Sequence, residues 1–297
     1  MNQASRWRWR AAERLAAGYA EDKSVAAIMI VSSTARGHAD RFSDLDMVFF
    51  WRKPPREARR RQLLDRSAAD LVRLYPYDPH WHCCNDSAFL GRRHPDEAFS
   101  GLKLDLTHFT VGSVESLIQA LTHEMTTVEP AHNLGALLAN GQPLSGHNLI
   151  NQLRGRLNYS EALATAMVMK HGQIDFFWRW RSALARNNNM MLVQANFVDF
   201  AQKLLRTLLA LNRVFFFGFG WLDLVLDRLQ LAPAEFERRY RELWHMEPAA
   251  TATELAALIE ETYDLVEVHL PQADVERLRR LFRFKRVFWE EAPPGLI

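Results

Sequence analysis

The sequence predicts an α+β chain in two parts, a mixed sheet with helices over residues 1–148 followed by a helical bundle over residues 149–297. Two patterns predict it. Before about residue 150, strand-like apolar runs alternate with helical segments; after the turn-like "NGQPLSG" (Asn140 to Gly146), the periodicity is almost entirely helical. At 297 residues and 48% apolar content, the chain has enough buried surface for one large or two ordinary domains.

In chain order, "VAAIMIV" (Val25 to Val31), "DMVFFW" (Asp46 to Trp51) and "LKLDLTHFTV" (Leu102 to Val111) read as strands, each apolar and rich in β-branched or aromatic residues. Arg56 to Tyr75, after the "KPP" break, reads as an exposed helix, and Ser113 is placed to cap a helix through "VESLIQALTH". The second part reads as helices near Leu149 to Lys170, Ile174 to Ala185, Met190 to Phe217, Trp221 to Leu229, Pro233 to His245, Thr253 to His269 and Asp274 to Glu290, with "RNNNM" as a turn between two of them. The aromatic runs "FFWRW" and "VFFFGFGW" fall at helical spacing and read as bundle core.

Charge excludes some classes of partner. Lys and Arg number 37 against 35 Asp and Glu, so the balance does not advertise a nucleic-acid or membrane surface. The arginine run "RKPPREARRRQLLDR" is interrupted by Glu57 and Asp65 and reads as a solvated face. No stretch has the roughly 18 continuous apolar residues of a membrane span, and the charged N-terminus lacks a secretory core, so a cytoplasmic protein is expected. The two cysteines, Cys83 and Cys84, are adjacent and cannot staple a fold. Within "DPHWHCC" the spacing is too tight for the chain to wrap a zinc ion, and His80 and His82 are expected on one strand face or lining a cleft, with Trp81 opposite.

The chemistry concentrates in "VSSTARGHADRFSDLDMVFFW" (Val31 to Trp51). Asp44 and Asp46 are two apart, so an extended chain points both carboxylates the same way. Like charges that close repel unless a cation lies between them, and Mg²⁺ enters such sites through one or two carboxylates plus substrate phosphates. Immediately upstream, "SSTARG" offers small residues that let a backbone approach phosphate, with Arg36 placed either for phosphate or for the surface. Ser43 serves equally as a turn former or a ligand contact. Asp105, inside apolar "LKLDLTHF", is costly unless paired or metal-bound.

A small pair closing a strand, about ten residues, Asp-hydrophobic-Asp-hydrophobic, then a later hydrophobic-Asp-hydrophobic strand resembles the nucleotidyltransferase superfamily with the DNA polymerase beta fold. The two-part layout is most similar to the antibiotic nucleotidyltransferases that modify aminoglycosides or lincosamides. The resemblance implies a catalytic domain over residues 1–148 and an acceptor-binding helical domain over residues 149–297, with the active cleft between them. It implies Asp44, Asp46 and Asp105 as ligands of two Mg²⁺ ions, and Ser32, Ser33, Arg36 and Ser43 around the triphosphate of ATP or another NTP. Ser32 stands where the family usually has glycine. The implied reaction transfers a nucleoside monophosphate to a hydroxyl of a small-molecule acceptor, with the base left open between Asp105 and another acid. Nucleotidylation of a protein or tRNA end, a nucleotide-binding module without activity, and a homodimer all stay open, while other nucleic-acid partners are disfavoured.

Overall fold

A computed structural model describes residues 1–67, 69–91, 101–186, 189–216, 218–219, 222–286, 289–292 and 295. It is an α+β protein whose contacts divide into two compact units, Met1–Asn158 and Tyr159–Ile297.

The first unit is built on one six-stranded sheet. Its strands are β1 (Val25–Ile30), β2 (Leu45–Trp51), β3 (Ala69–Leu74), β4 (Cys83–Leu90), β5 (Leu102–Thr110) and β6 (Gln142–Ser145), in the spatial order β3-β4-β5-β2-β1-β6. β2 and β5 run parallel, and every other neighbouring pair is antiparallel, so the sheet is mixed. Alternation along β2 sends Leu45, Met47, Phe49 and Trp51 into a core shared with helices α1 (Gln3–Ala20) and α3 (Glu57–Arg66). α1 enters that core through Ala11, Ala12, Leu15, Ala16 and Tyr19, a helical stripe on an otherwise charged segment. Its start is capped by Asn2, whose side chain accepts from the Ser5 amide at 2.8 Å. The short α2 (Ser32–Arg36) follows β1 directly. α4 (Val111–Thr122), α5 (Glu129–Asn140) and α6 (His147–Arg156) pack together, with α4 against β5 and α6 against β1. Gly146 opens α6 at φ 67°, and a Cβ there would stand 2.4 Å from the Ala26 carbonyl oxygen, so only glycine fits.

The three expected strands are all present, and the local differences have physical causes. The helix expected from Arg56 to Tyr75 stops at Arg66, and Ala69–Leu74 is instead strand β3, paired with β4. Thr110 rather than Ser113 caps α4, its side chain accepting from the Ser113 amide at 3.0 Å. Residues 79–82 form a turn with His82 at φ 55°, so His80 and His82 share no strand face; β4 begins only at Cys83. α1, α5, β4 and β6 add to the elements expected.

The second unit, described by itself, is helical: α7 (Glu161–His171), α8 (Phe177–Arg186), α9 (Met190–Leu211), α10 (Leu222–Leu226), α11 (Phe236–Glu242), α12 (Pro248–His269) and α13 (Val275–Arg283). The long helix α9 packs against α7, α8 and α12. Phe177 and Trp180 of the "FFWRW" run are buried with Phe197, Phe200 and Phe282, as bundle core, while Phe176 is exposed. In "VFFFGFGW", residues 217, 220 and 221 lie outside the described residues, as do 187 and 188 in "RNNNM". The helix expected from Leu149 to Lys170 is two, α6 and α7, broken at Leu157–Ser160, where Ser160 caps α7. No helix among the described residues is long and apolar enough to cross a membrane.

Candidate functional site

The parallel pairing of β2 with β5 sets the register that matters: Leu45 opposes Leu104 and Asp46 opposes Asp105. Neighbouring strands lie about 4.8 Å apart, so Asp46 and Asp105 stand side by side on the face opposite the Leu45 and Leu104 side chains. Asp44 lies one residue before β2, and its charge also reaches Asp46. Asp46 and Asp105 are therefore paired across two adjacent strands, with Asp44 just ahead of the first of them.

A fourth residue joins them. Lys103, two before Asp105 on β5 and hence on the same face, donates to Asp105 Oδ2 at 2.6 Å and to Asp44 Oδ2 at 2.9 Å. The three side chains are 38–42% exposed, so the bridge is open to water. Burial works against the ammonium, but the two hydrogen bonds and the charges of Asp105 and Asp44 raise it above lysine's ordinary value. Nothing in the sequence singled out Lys103; a lone lysine at the start of a strand reads as a solvated end. The i, i+2 spacing from Asp105 was its only signal.

Asp46 is the least solvated of the acids. Burial and the neighbouring charge of Asp105 push its carboxyl up to about 6, although the Ser32 side chain hydrogen-bonds to it and Lys103 opposes the shift. Ser32 has φ 56°, the left-handed region that glycine enters freely and serine enters at a cost of about 1–2 kcal/mol. It thus joins the acid cluster from the end of β1.

The remaining expected residues lie in α2 and in the turn before β2. Ser33 is buried, only 2% exposed, in α2. Arg36 is half-buried in the last turn of α2. Ser43 closes the turn before the acids: its hydroxyl donates to Asp40 Oδ1 at 2.8 Å and accepts from the Asp40 amide at 2.9 Å. Its carbonyl accepts two hydrogen bonds from buried Arg8 of α1, at 3.0 and 2.8 Å. Arg8 thereby fixes the approach of the chain to Asp44, a role the sequence did not disclose.

An all-carboxylate set is the donor chemistry of a hard divalent cation, and an ammonium already bridges two of its three members. By that chemistry the residues fit a Mg²⁺ ion. As they stand, no three His, Cys, Asp or Glu side chains among the described residues are gathered closely enough to hold a metal. The ammonium spans Asp44 and Asp105 instead.

No family model matches the chain, and no curated protein matches it. Among solved structures, a nucleotidyltransferase-like protein from Exiguobacterium sibiricum is similar at 12% identity, covering 89% of this chain and 80% of that chain with a TM-score of 0.40. A likeness at that level argues neither activity nor site.

Proposed function

We propose that the first unit carries a metal-dependent nucleotidyl transfer site, moving a nucleoside monophosphate from an NTP, with ATP as the working donor, to a hydroxyl of a small-molecule acceptor such as an antibiotic. The observation that carries the reading is the pairing of Asp46 with Asp105 through the β2–β5 register, with Asp44 joined to Asp105 through Lys103 and Ser32 hydrogen-bonded to Asp46. Asp44 and Asp105 are half-exposed and Asp46 is less solvated beside them at a cost to its charge, and a divalent ion bound to a triphosphate gives the three acids a common use.

In this reading Asp44, Asp46 and Asp105 hold the ions, and bound Mg²⁺ supplies Lewis-acid stabilisation of the charge developing on the transferred phosphoryl group. Ser32 stays hydrogen-bonded to Asp46 and steadies that carboxylate. The acceptor oxygen forms a bond to the α-phosphorus as the bond to the departing pyrophosphate breaks, and the hydroxyl proton passes to a carboxylate, Asp105 or another acid. Ser32, Ser33, Arg36 and Ser43 are proposed around the phosphates.

The deciding measurement is magnesium-dependent pyrophosphate release from ATP and GTP across a panel of hydroxylated acceptors. The Asp44→Asn, Asp46→Asn double variant keeps side-chain size and removes two charges, so release should fall by on the order of 10³-fold or more. Retained release in the folded variant would end the reading. A nucleotide-binding module without transfer is the second reading, favoured by Ser32 at a glycine-like φ and by Lys103 across the acids. It predicts a Mg-ATP thermal shift with no pyrophosphate released from any acceptor mixture.

A further inference from the structure

We infer that Lys103 is a resident counter-cation of the acid cluster, which a divalent ion must displace from Asp44 and Asp105 in order to bind. This rests on the reading of Asp44, Asp46 and Asp105 as metal ligands and adds to it a competition within the chain itself. The ammonium takes one oxygen of Asp105 at 2.6 Å and one of Asp44 at 2.9 Å, and so lies between two of the three carboxylates a metal would use. Lys103 and a metal cannot share those oxygens without placing two cations in contact.

Magnitudes decide which occupant wins. Half-exposed ion pairs of this kind are weak because water screens them, so the lysine holds the cluster together without locking it. It also brings one positive charge to three carboxylates, and a divalent ion neutralises more of the remaining repulsion. The cluster is therefore kept assembled in the metal-free protein, at the cost of weaker metal binding. Once released, the ammonium sits beside the phosphates that a bound nucleotide brings with its metal, and these are its natural next partner. Metal and nucleotide then bind together more tightly than the metal does alone.

The test is Mn²⁺ binding to the full-length, nucleotide-free protein, followed by electron paramagnetic resonance and calorimetry in the parent, Lys103→Met, Lys103→Arg and Asp46→Asn. Lys103→Met removes the charge and should bind Mn²⁺ at least tenfold more tightly than the parent, while Lys103→Arg keeps the charge and should not. Lys103→Gln, neutral but still able to donate hydrogen bonds, takes the place of the methionine variant should that fail to fold. Mn²⁺ bound in the parent, lost in Asp46→Asn, and no tighter in either neutral variant would overturn the competition while leaving the metal reading in place. No Mn²⁺ bound by any of the proteins, or binding indifferent to Asp46→Asn, would overturn both.

Discussion

Asp46 shows how much one side chain's surroundings determine. Burial and the charge of Asp105 hold its carboxyl up to about 6, whereas an aspartate in an unfolded chain titrates at about 3.9. Between those values the folded state binds more protons than the unfolded one, so stability falls as pH rises through the window from about 4 to about 6 and stays lower above it. Asp46→Asn cannot ionise and can still accept the hydrogen bond from Ser32. Without metal at pH 7.5 it should therefore be more stable than the parent by on the order of 1 kcal/mol after allowance for solvent, about 2–4 °C in Tm, and the difference should vanish toward pH 4. Melting curves in EDTA across that range check it, and equal melting points at every pH would remove the electrostatic account of the cluster. The three acids were legible in the sequence as candidates, Asp44 and Asp46 from their two-residue spacing and Asp105 from its apolar flanks, while the β2–β5 register is what sets Asp46 beside Asp105. Arg8 and the Lys103 bridge to Asp44 were not legible, because they join residues 35 and 59 positions apart and become visible only once strands and helices are placed.

Among elements, β4 and its partners were the hardest to read. "CCNDSAFL" has the Asn, Asp and Ser of a loop, and it becomes a strand because β3 and β5 pair with it along both edges. The turn from α3 into β3 was hidden for a related reason: "ADLVRL" is too short for its period to separate strand from helix, and only the pairing with β4 decides. What fastens this region is a fully buried polar chain. Arg60 of α3 pairs with Asp86 of β4, Asp86 Oδ2 lies 2.9 Å from His108 Nε2, and His108 Nδ1 accepts from the Trp51 indole at 3.1 Å. Since the indole can only donate, the proton of His108 sits on Nε2 and points at Asp86. Arg60→Met would leave Asp86 buried without its cation and should cost about 3–5 kcal/mol, read as a lower urea midpoint. Burial also depresses the His108 imidazole, so its contribution is present above about pH 6.5 and is lost as pH falls below that, the opposite direction to Asp46. A midpoint unchanged by Arg60→Met would mean that the chain of contacts bears no load.

For the molecule as a whole, α6 is the informative helix. Composition changes where strands stop, near residue 150, while packing marks where a unit stops, at Asn158, and α6 lies between the two marks. Its Ile150 and Leu153 are fully buried, and Arg154 donates to the carbonyls of Leu138 and Gly141, the end of α5 and the approach to β6. β6 is the edge partner of β1, and β1 leads directly into Ser32, so α6 supports the strand that positions the acid cluster from one side. A chain of residues 1–158 should fold cooperatively by itself, since the sheet, the helices packed on it and the core that β2 shares with α1 and α3 lie within it. A chain of residues 1–148 loses two buried aliphatic side chains worth about 1.5–3 kcal/mol each, together with the Arg154 ties. Against a total stability of about 5–15 kcal/mol, that loss should lower the urea midpoint sharply or leave the fragment unfolded. Circular dichroism during urea titration of the two fragments distinguishes them. Equal midpoints would mean that α6 only rests on the sheet, and that the β1 edge beside Ser32 is held by other contacts.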